Sequence, residues 1–239
     1  MRSVTLAAGR GKRLGALTAD RPKPMVEVRG KPILEHIIEG AREAGVDEML
    51  LVVSYLQDVI RDYFGDGSRW GVRLEYVEQT GRHGSGGAML YGQEFAGEEP
   101  FLALYGDILV GPAEYRGLVA EFERGGCEAV IGVNYMADPT AGAAVYREGG
   151  RIVRVVEKPP AGTAGSNWNV AGISVYSAAV WPELEAITPS PRGEYELTDA
   201  ITALIPQGVR AYEIGGFWSD VGTPEALADA ERDWPGAAG

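Results

Sequence analysis

This chain of 239 residues holds a single cysteine, Cys127, and only two histidines, His36 and His83. One thiol excludes an internal disulfide framework and a cysteine zinc cluster. So few Cys and His residues also leave little material for a thiol- or imidazole-based nucleophile system. Basic charge is scarce: 22 Lys and Arg stand against 34 Asp and Glu, a formal net charge of −12. General nucleic-acid binding needs a basic face, so that class is set aside, although a few local cations can still hold a small anion. No apolar run approaches the ~20 residues of a membrane span. A first strand from about Arg2 leaves no room ahead of it for a signal peptide. The expectation is a cytoplasmic protein with neither a nucleic acid nor a membrane as partner; homo-oligomerisation stays open. Repeats and low-complexity sequence are missing too, apart from the terminal PGAAG (235–239).

What is present is alternation. SVTLAAG (3–9), EMLLVVSY (48–55), VRLEYVEQ (72–79), FLALYGD (101–107) and EAVIGVNYM (128–136) read as buried strands. Between them, KPILEHIIEGAREAG (31–45) puts Ile33, Leu34, Ile37, Ile38 and Ala41 on one helical face, with Pro32 in the first turn and Gly45 at the end. GGAMLYGQEF (86–95) reads as a helix, and Tyr115, Leu118, Val119 and Phe122 share a face of another. Strands separated by helices imply a parallel sheet. Beyond residue 136 the pattern changes. Residues 143–159 alternate about Gly149-Gly150 as a hairpin does, GISVYS (172–177) is a strand, and ELTDAITALI (196–205) is helical. The expected fold is α/β: one domain over 1–239 with a Rossmann-like mixed, mostly parallel sheet flanked by helices. Residues 1–136 form a nucleotide-binding half, 137–223 a more antiparallel half, and 224–239 a C-terminal helix and tail.

The first strand runs into LAAGRGKRL (6–14), where three cations gather on a glycine loop. Ligands of open α/β sheets sit beyond the carboxyl ends of the strands. Glycine lets backbone approach a ligand, and successive N–H groups can cradle phosphate. The dinucleotide fingerprint is excluded because Leu14 stands where its third glycine belongs, and the Walker loop because Arg13 follows Lys12. Taken alone, the loop fits a plain strand–turn equally well. It is followed by RPKPM (21–25), whose prolines hold the segment extended and give Lys23 a defined direction.

From here the sequence resembles the nucleoside-diphosphate-sugar pyrophosphorylases, the sugar-1-phosphate nucleotidylyltransferases. Their opening is similar to LAAGRGKRLGALTADRPKPMVEVRGKPILEHII (6–38). VEQTGRHGSGGAML resembles their base-holding segment, LYGD their Gly-Asp metal motif, VVEKP their Glu-Lys-Pro, SNWNVAGISVYS their sugar-side strand, and FWSDVGTPEAL their closing motif. RGEYELTDAI is similar to the glucose-1-phosphate thymidylyltransferase branch.

The resemblance implies transfer of a nucleoside monophosphate from an NTP, with dTTP or UTP favoured, to a sugar 1-phosphate, with release of pyrophosphate and Mg²⁺ as cofactor. It assigns nucleotide contacts to Leu6, Ala8, Gly9, Gly11, Lys12, Gln79, Gly84 and Ser85. Arg13 would stabilise the departing pyrophosphate and Lys23 the α-phosphate. Asp107, also catalytic, and Asp220 would hold the metal, for which Mg²⁺ needs one or two carboxylates plus phosphate and water. Gly142, Glu157, Lys158, Asn169 and Gly172 would bind the sugar phosphate, making 137–223 the sugar-phosphate half.

Several positions depart from the family pattern. Lys12 takes a usual Thr/Ser site, Ala16 a usual Pro, and Ile108 a frequent Asn; Gly142 is offset from the sugar-binding glycine, so Ala143 is a rival counterpart. These departures keep other readings open. One is a guanylyl- or cytidylyltransferase acting on a heptose, mannose, N-acetylmuramate or phosphocholine-type acceptor. Another is a catalytically silent sugar-nucleotide sensor. A chain ending soon after the final motif has no left-handed β-helix acyltransferase domain in its span.

Overall fold

The computed structural model describes residues 1–236. Strand β1 (Arg2–Leu6) leads through a loop and a 3-10 segment to a short bridge, β2 (Glu27–Val28) and β3 (Lys31–Pro32), then helix α1 (Ile33–Glu43). Next come β4 (Glu48–Val53), α2 (Gln57–Phe64), β5 (Arg73–Glu78), and the short helices α3 (Ser85–Met89) and α4 (Gln93–Ala96). Strands β6 (Phe101–Tyr105) and β7 (Ile108–Val110) precede α5 (Pro112–Glu123) and β8 (Ala129–Tyr135). The remainder is β9 (Ala143–Glu148), β10 (Arg151–Glu157), β11 (Trp168–Tyr176), α6 (Val180–Ala186), α7 (Leu197–Leu204), β12 (Val209–Glu213), β13 (Trp218–Asp220) and α8 (Pro224–Asp233).

Nine strands form one mixed sheet in the order β5-β4-β1-β6-β11-β8-β12-β10-β9, with β9 also paired to β11. Strands β5, β4, β1 and β6 are parallel. Met49 to Val53 of β4 are all buried, as a central parallel strand covered on both faces requires. The sheet is flanked on one face by a core including α1, α2 and α5 residues, and on the other by one including α3, α6 and α7 residues. This is the expected mixed α/β architecture.

Local differences have local causes. β1 ends at Leu6, short of the expected Gly9; the Ala7 N–H still donates to the Val52 carbonyl (2.8 Å) before the chain enters the loop. The helix expected over 86–95 breaks into α3, a 3-10 turn and α4, in a segment where Gly86, Gly87 and Gly92 lower helix propensity. Pro32 lies just before α1, paired with Glu27, rather than in its first turn. The strand expected at 172–177 starts at Trp168 and carries a register shift between Val170 and Ser174. Gly172 sits in that bulge at φ +76°, where an added Cβ would lie 2.3 Å from the Ile108 side chain. The expected C-terminal helix is α8; residues 237–239 of the tail lie outside the described residues.

Most consequential for the site, β11 inserts antiparallel between β6 and β8. The carboxyl ends of β1 and β6 therefore face residues contributed by the later chain. A small antiparallel ribbon of β7 and β13 sets Asp220 opposite Ile108, one residue from Asp107.

Candidate active site

The loop after β1 closes onto the Lys23 segment. The Lys23 N–H donates to the Gly9 carbonyl (3.2 Å), and the Thr18 hydroxyl donates to that of Gly11 (3.0 Å). Gly11 adopts φ +71°, and a Cβ there would lie 2.8 Å from Lys23 Cβ. Glycine is thus what lets the lysine stem pass under the loop. Lys23 is buried, with its side chain 6% exposed, and its ammonium donates to Asp107 Oδ2 at 2.8 Å and Asp220 Oδ1 at 2.7 Å. Burial alone would push the ammonium down, but the charges and hydrogen bonds of Asp107 and Asp220 outweigh it and hold the Lys23 pKa above its ordinary value. Arg13 approaches Asp220 Oδ2 at 3.7 Å from an exposed position. Gly106, in the turn after β6, donates to the Leu6 carbonyl (2.9 Å) and pins Asp107 beside the end of β1.

Two cavities meet here. One, of about 350 Å³, is lined by Leu6, Ala8, Gly9, Gln79 and Gly84 among others. The second, of about 460 Å³, is lined by Arg13, Lys23, Gly142, Glu157, Lys158, Asn169 and Asp220 among others. Ser85, Tyr105, Asp107 and Glu194 line both. The residues expected to contact nucleotide and sugar phosphate thus mostly divide between two adjoining spaces with Asp107 at their junction.

Several expected residues also hold the walls of the site together. Gln79 donates its amide N–H to the carbonyls of Arg82 (3.1 Å) and Gly84 (3.5 Å), bracing the loop. Asn169 is buried. Its Oδ1 accepts from the Ala143 N–H (3.0 Å), and its Nδ2 donates to Asn134 Oδ1 (3.0 Å) and the Val170 carbonyl (2.8 Å). Gly142 is needed because a Cβ there would fall 2.1 Å from Asn169 Oδ1. Gly172 shapes the bulge beneath Ile108. His36 is buried with Nε2 2.8 Å from the Val28 carbonyl and its ring edge-on to Trp234, a packing role. The His83 carbonyl accepts from the Tyr195 N–H (2.8 Å).

Sequence reasoning assigned no role to the residues of RGEYELTD individually, yet they close the second cavity. The Gly86 N–H donates to the Tyr195 carbonyl (2.8 Å) and the Leu197 N–H to Ser85 Oγ (3.1 Å), stitching this segment to the base-side loop. Arg192 holds Glu196 at 2.6 Å, Glu157 at 3.3 Å and Glu194 at 3.6 Å. The Thr198 hydroxyl donates to Glu157 Oε2 (3.1 Å). Burial raises the Glu157 pKa, the Glu196 charge adds to that, and Thr198, Lys158 and Arg192 only partly oppose it. The run of acidic residues around one arginine was the available signal.

Asp107 and Asp220 share one ammonium, so their bonded oxygens are separated by no more than those two hydrogen bonds combined. Among the described residues no group of three or more His, Cys, Asp or Glu side chains is arranged to hold a metal. A hard cation at the aspartate pair would therefore draw its other ligands from phosphate and water, the preference of Mg²⁺. No helix among the described residues is long and apolar enough to cross a membrane.

The family model for nucleotidyl transferases matches residues 2–235. The chain is 34% identical over 237 residues to a UTP–glucose-1-phosphate uridylyltransferase, AglF, of Haloferax volcanii, covering 97% of this chain and 96% of that one. It is 34% identical over 236 residues to a glucose-1-phosphate thymidylyltransferase of Streptomyces griseus. It is 33% identical over 236 residues to the low-salt glycan biosynthesis nucleotidyltransferase Agl11 of Haloferax volcanii. In both of these the match covers 97% of this chain but spans 65% of the relative's length. In fold, the structure of a UDP-glucose pyrophosphorylase complexed with UDP-glucose superposes with a TM-score of 0.89 at 24% identity, covering 98% of this chain and 97% of the other.

Proposed function

The chain belongs to the nucleotidyl transferase family, and from that premise we propose that it transfers a nucleoside monophosphate from dTTP or UTP to a sugar 1-phosphate, releasing pyrophosphate. The observation that carries this reading is the junction of two cavities at Asp107, with the Lys23 ammonium between Asp107 and Asp220. The nucleotide occupies the cavity beside the glycine loop, and the sugar phosphate the cavity beside Glu157 and Lys158. Their reacting phosphates then meet at the aspartates.

Each residue has a task in that displacement. The acceptor phosphate oxygen attacks the α-phosphorus in line, and pyrophosphate leaves. Such transfer depends on positioning and charge neutralisation. Lys23, anchored by the loop, meets the α-phosphate as charge builds there. Arg13, exposed at the cavity mouth, stabilises the leaving pyrophosphate. Lys158 holds the acceptor phosphate, and Glu157 accepts hydrogen bonds from sugar hydroxyls. Gln79 keeps the base loop in shape through its amide N–H and leaves its carbonyl to accept the pyrimidine N3–H. Asp107 and Asp220 would hold Mg²⁺, which would supply positive charge against the phosphates. The four charged residues Arg13, Lys23, Asp107 and Asp220 favour an enzyme over a silent sensor, because a sensor has no need of them together.

A pyrophosphate-release assay over UTP, dTTP, GTP, CTP and ATP, each crossed with a set of sugar 1-phosphates, tests the reading. The expected result is release with UTP or dTTP and a sugar 1-phosphate, dependent on Mg²⁺. Preference for GTP or ATP refutes the base assignment, and no release from any combination refutes the activity.

A further inference from the structure

The charged lining of the second cavity falls into two sets. Arg13, Lys23, Asp107 and Asp220 are linked to one another, two cations against two carboxylates. Glu157, Glu194 and Glu196 form the other set, linked through Arg192. Three carboxylates surround one guanidinium there, and its charge is already met at 2.6, 3.3 and 3.6 Å. Lys158 adds a cation beside Glu157, but it is committed to the acceptor phosphate in the proposed function. Glu196 is buried and also accepts from the Ser190 hydroxyl (2.9 Å), so it cannot swing away into water.

Resting on the proposed function, we infer that this wall sets the acceptor's chemistry: the pocket takes sugar 1-phosphates whose ring substituents are hydroxyl, amide or ammonium groups and rejects those bearing a carboxylate. Hydroxyls donate to Glu157, whose Oε1 is engaged among the described residues by a 3.3 Å contact to Arg192. A sugar carboxylate would stand as a fourth anion beside a single guanidinium whose Nη2 already faces three carboxylates, so the local charge stays negative and opposes it. Arg192 acts as a positioning residue, fixing the carboxylates that face the sugar.

The test compares matched acceptors by kcat/KM with the preferred NTP: glucose against glucuronic acid 1-phosphate, and N-acetylglucosamine against N-acetylmuramic acid 1-phosphate. The neutral member is expected to be used at least about tenfold better in each pair that reacts. Two substitutions should move that ratio in opposite directions. Glu194→Gln removes a half-exposed anion and should narrow it by about two- to fivefold; Arg192→Gln removes the cation and should widen it similarly, while Arg192→Lys leaves it near wild type. A residue with only a scaffolding role would not give opposite signs. Equal or better use of an anionic member overturns the inference, as does a ratio that both Gln variants leave unmoved or move together. If no sugar 1-phosphate of the wider set reacts with any NTP, the proposed function itself fails, and the inference with it.

Discussion

Replacing Lys23 by methionine keeps most of the buried stem and deletes the ammonium. The two hydrogen bonds lost are 2.8 and 2.7 Å, and the carboxylates left behind have side chains 28% (Asp107) and 41% (Asp220) exposed. Breaking a fully buried ion pair costs about 3–5 kcal/mol. Water reaches both aspartates here, so we scale this to about 1.5–3 kcal/mol. For a chain of this size each kcal/mol lowers Tm by about 2–4 °C, giving a fall of about 3–12 °C. The pH dependence has a definite sign. The Lys23 pKa is raised in the folded state, so its contribution is fully present below the ordinary lysine value and is lost as pH climbs through the folded one. The gap between wild type and Lys23→Met should be flat from about pH 7 to 9 and shrink above about pH 10.4. Without the ammonium the two carboxylates repel, so Mg²⁺ should raise the variant's Tm more than the wild type's. Turnover should fall by about 10²–10³, the usual effect of removing one group aimed at transition-state charge. Thermal unfolding across that pH range, with and without Mg²⁺, alongside pyrophosphate release, measures all four effects. A variant with wild-type Tm, an unchanged Mg²⁺ response and kcat within about threefold, or ~0.7 kcal/mol in barrier, would refute the reasoning.

Asp107→Asn and Asp220→Asn should each cut turnover at least about tenfold, or ~1.4 kcal/mol in barrier, with the fold intact because the amide oxygen still accepts from Lys23; near-normal rates at limiting Mg²⁺ would remove the metal assignment. Arg13→Ala should lower kcat with little change in Tm, since Arg13 is exposed and its ion pair to Asp220 is a long 3.7 Å; a pure rise in KM for the NTP would contradict its role at the leaving group. Gln79→Ala should shrink the preference among NTPs by roughly 5- to 150-fold, from about 1–3 kcal/mol at the base edge, and a variant with the full preference would show that Gln79 does not read the base. Gly142→Ala should cost about 1–3 kcal/mol, because its Cβ would overlap Asn169 Oδ1 and break the bond to the Ala143 N–H; calorimetry showing an unchanged Tm would mean that this hairpin entry relaxes freely.

The sequence alone determined what depends on neighbours in the chain. The apolar run EMLLVV made β4 a buried parallel strand, the periodicity of residues 33–41 made α1, and the order of glycine loop, RPKPM, LYGD and FWSDVG marked the family. Local rules also marked the 143–159 hairpin, observed as β9 and β10. What they could not supply were contacts between distant segments. Nothing near residues 168–176 says that β11 inserts between β6 and β8. Lys23 meets Asp107 and Asp220 across sequence separations of 84 and 197 residues. Arg192 gathers Glu157 with its own neighbours Glu194 and Glu196 only because α7 packs against β10. Gln79 and Asn169 were legible as polar site residues, but which partners their amide N–H groups meet depends on the folded chain: Gln79 donates to the Arg82 and Gly84 carbonyls, and buried Asn169 to the Val170 carbonyl and Asn134 Oδ1. Hydrophobic period and turn chemistry act over a few residues and are written in the local sequence. Charge pairing and amide orientation depend on which side chains the folded sheet brings within a few ångströms, and only the tertiary structure decides that.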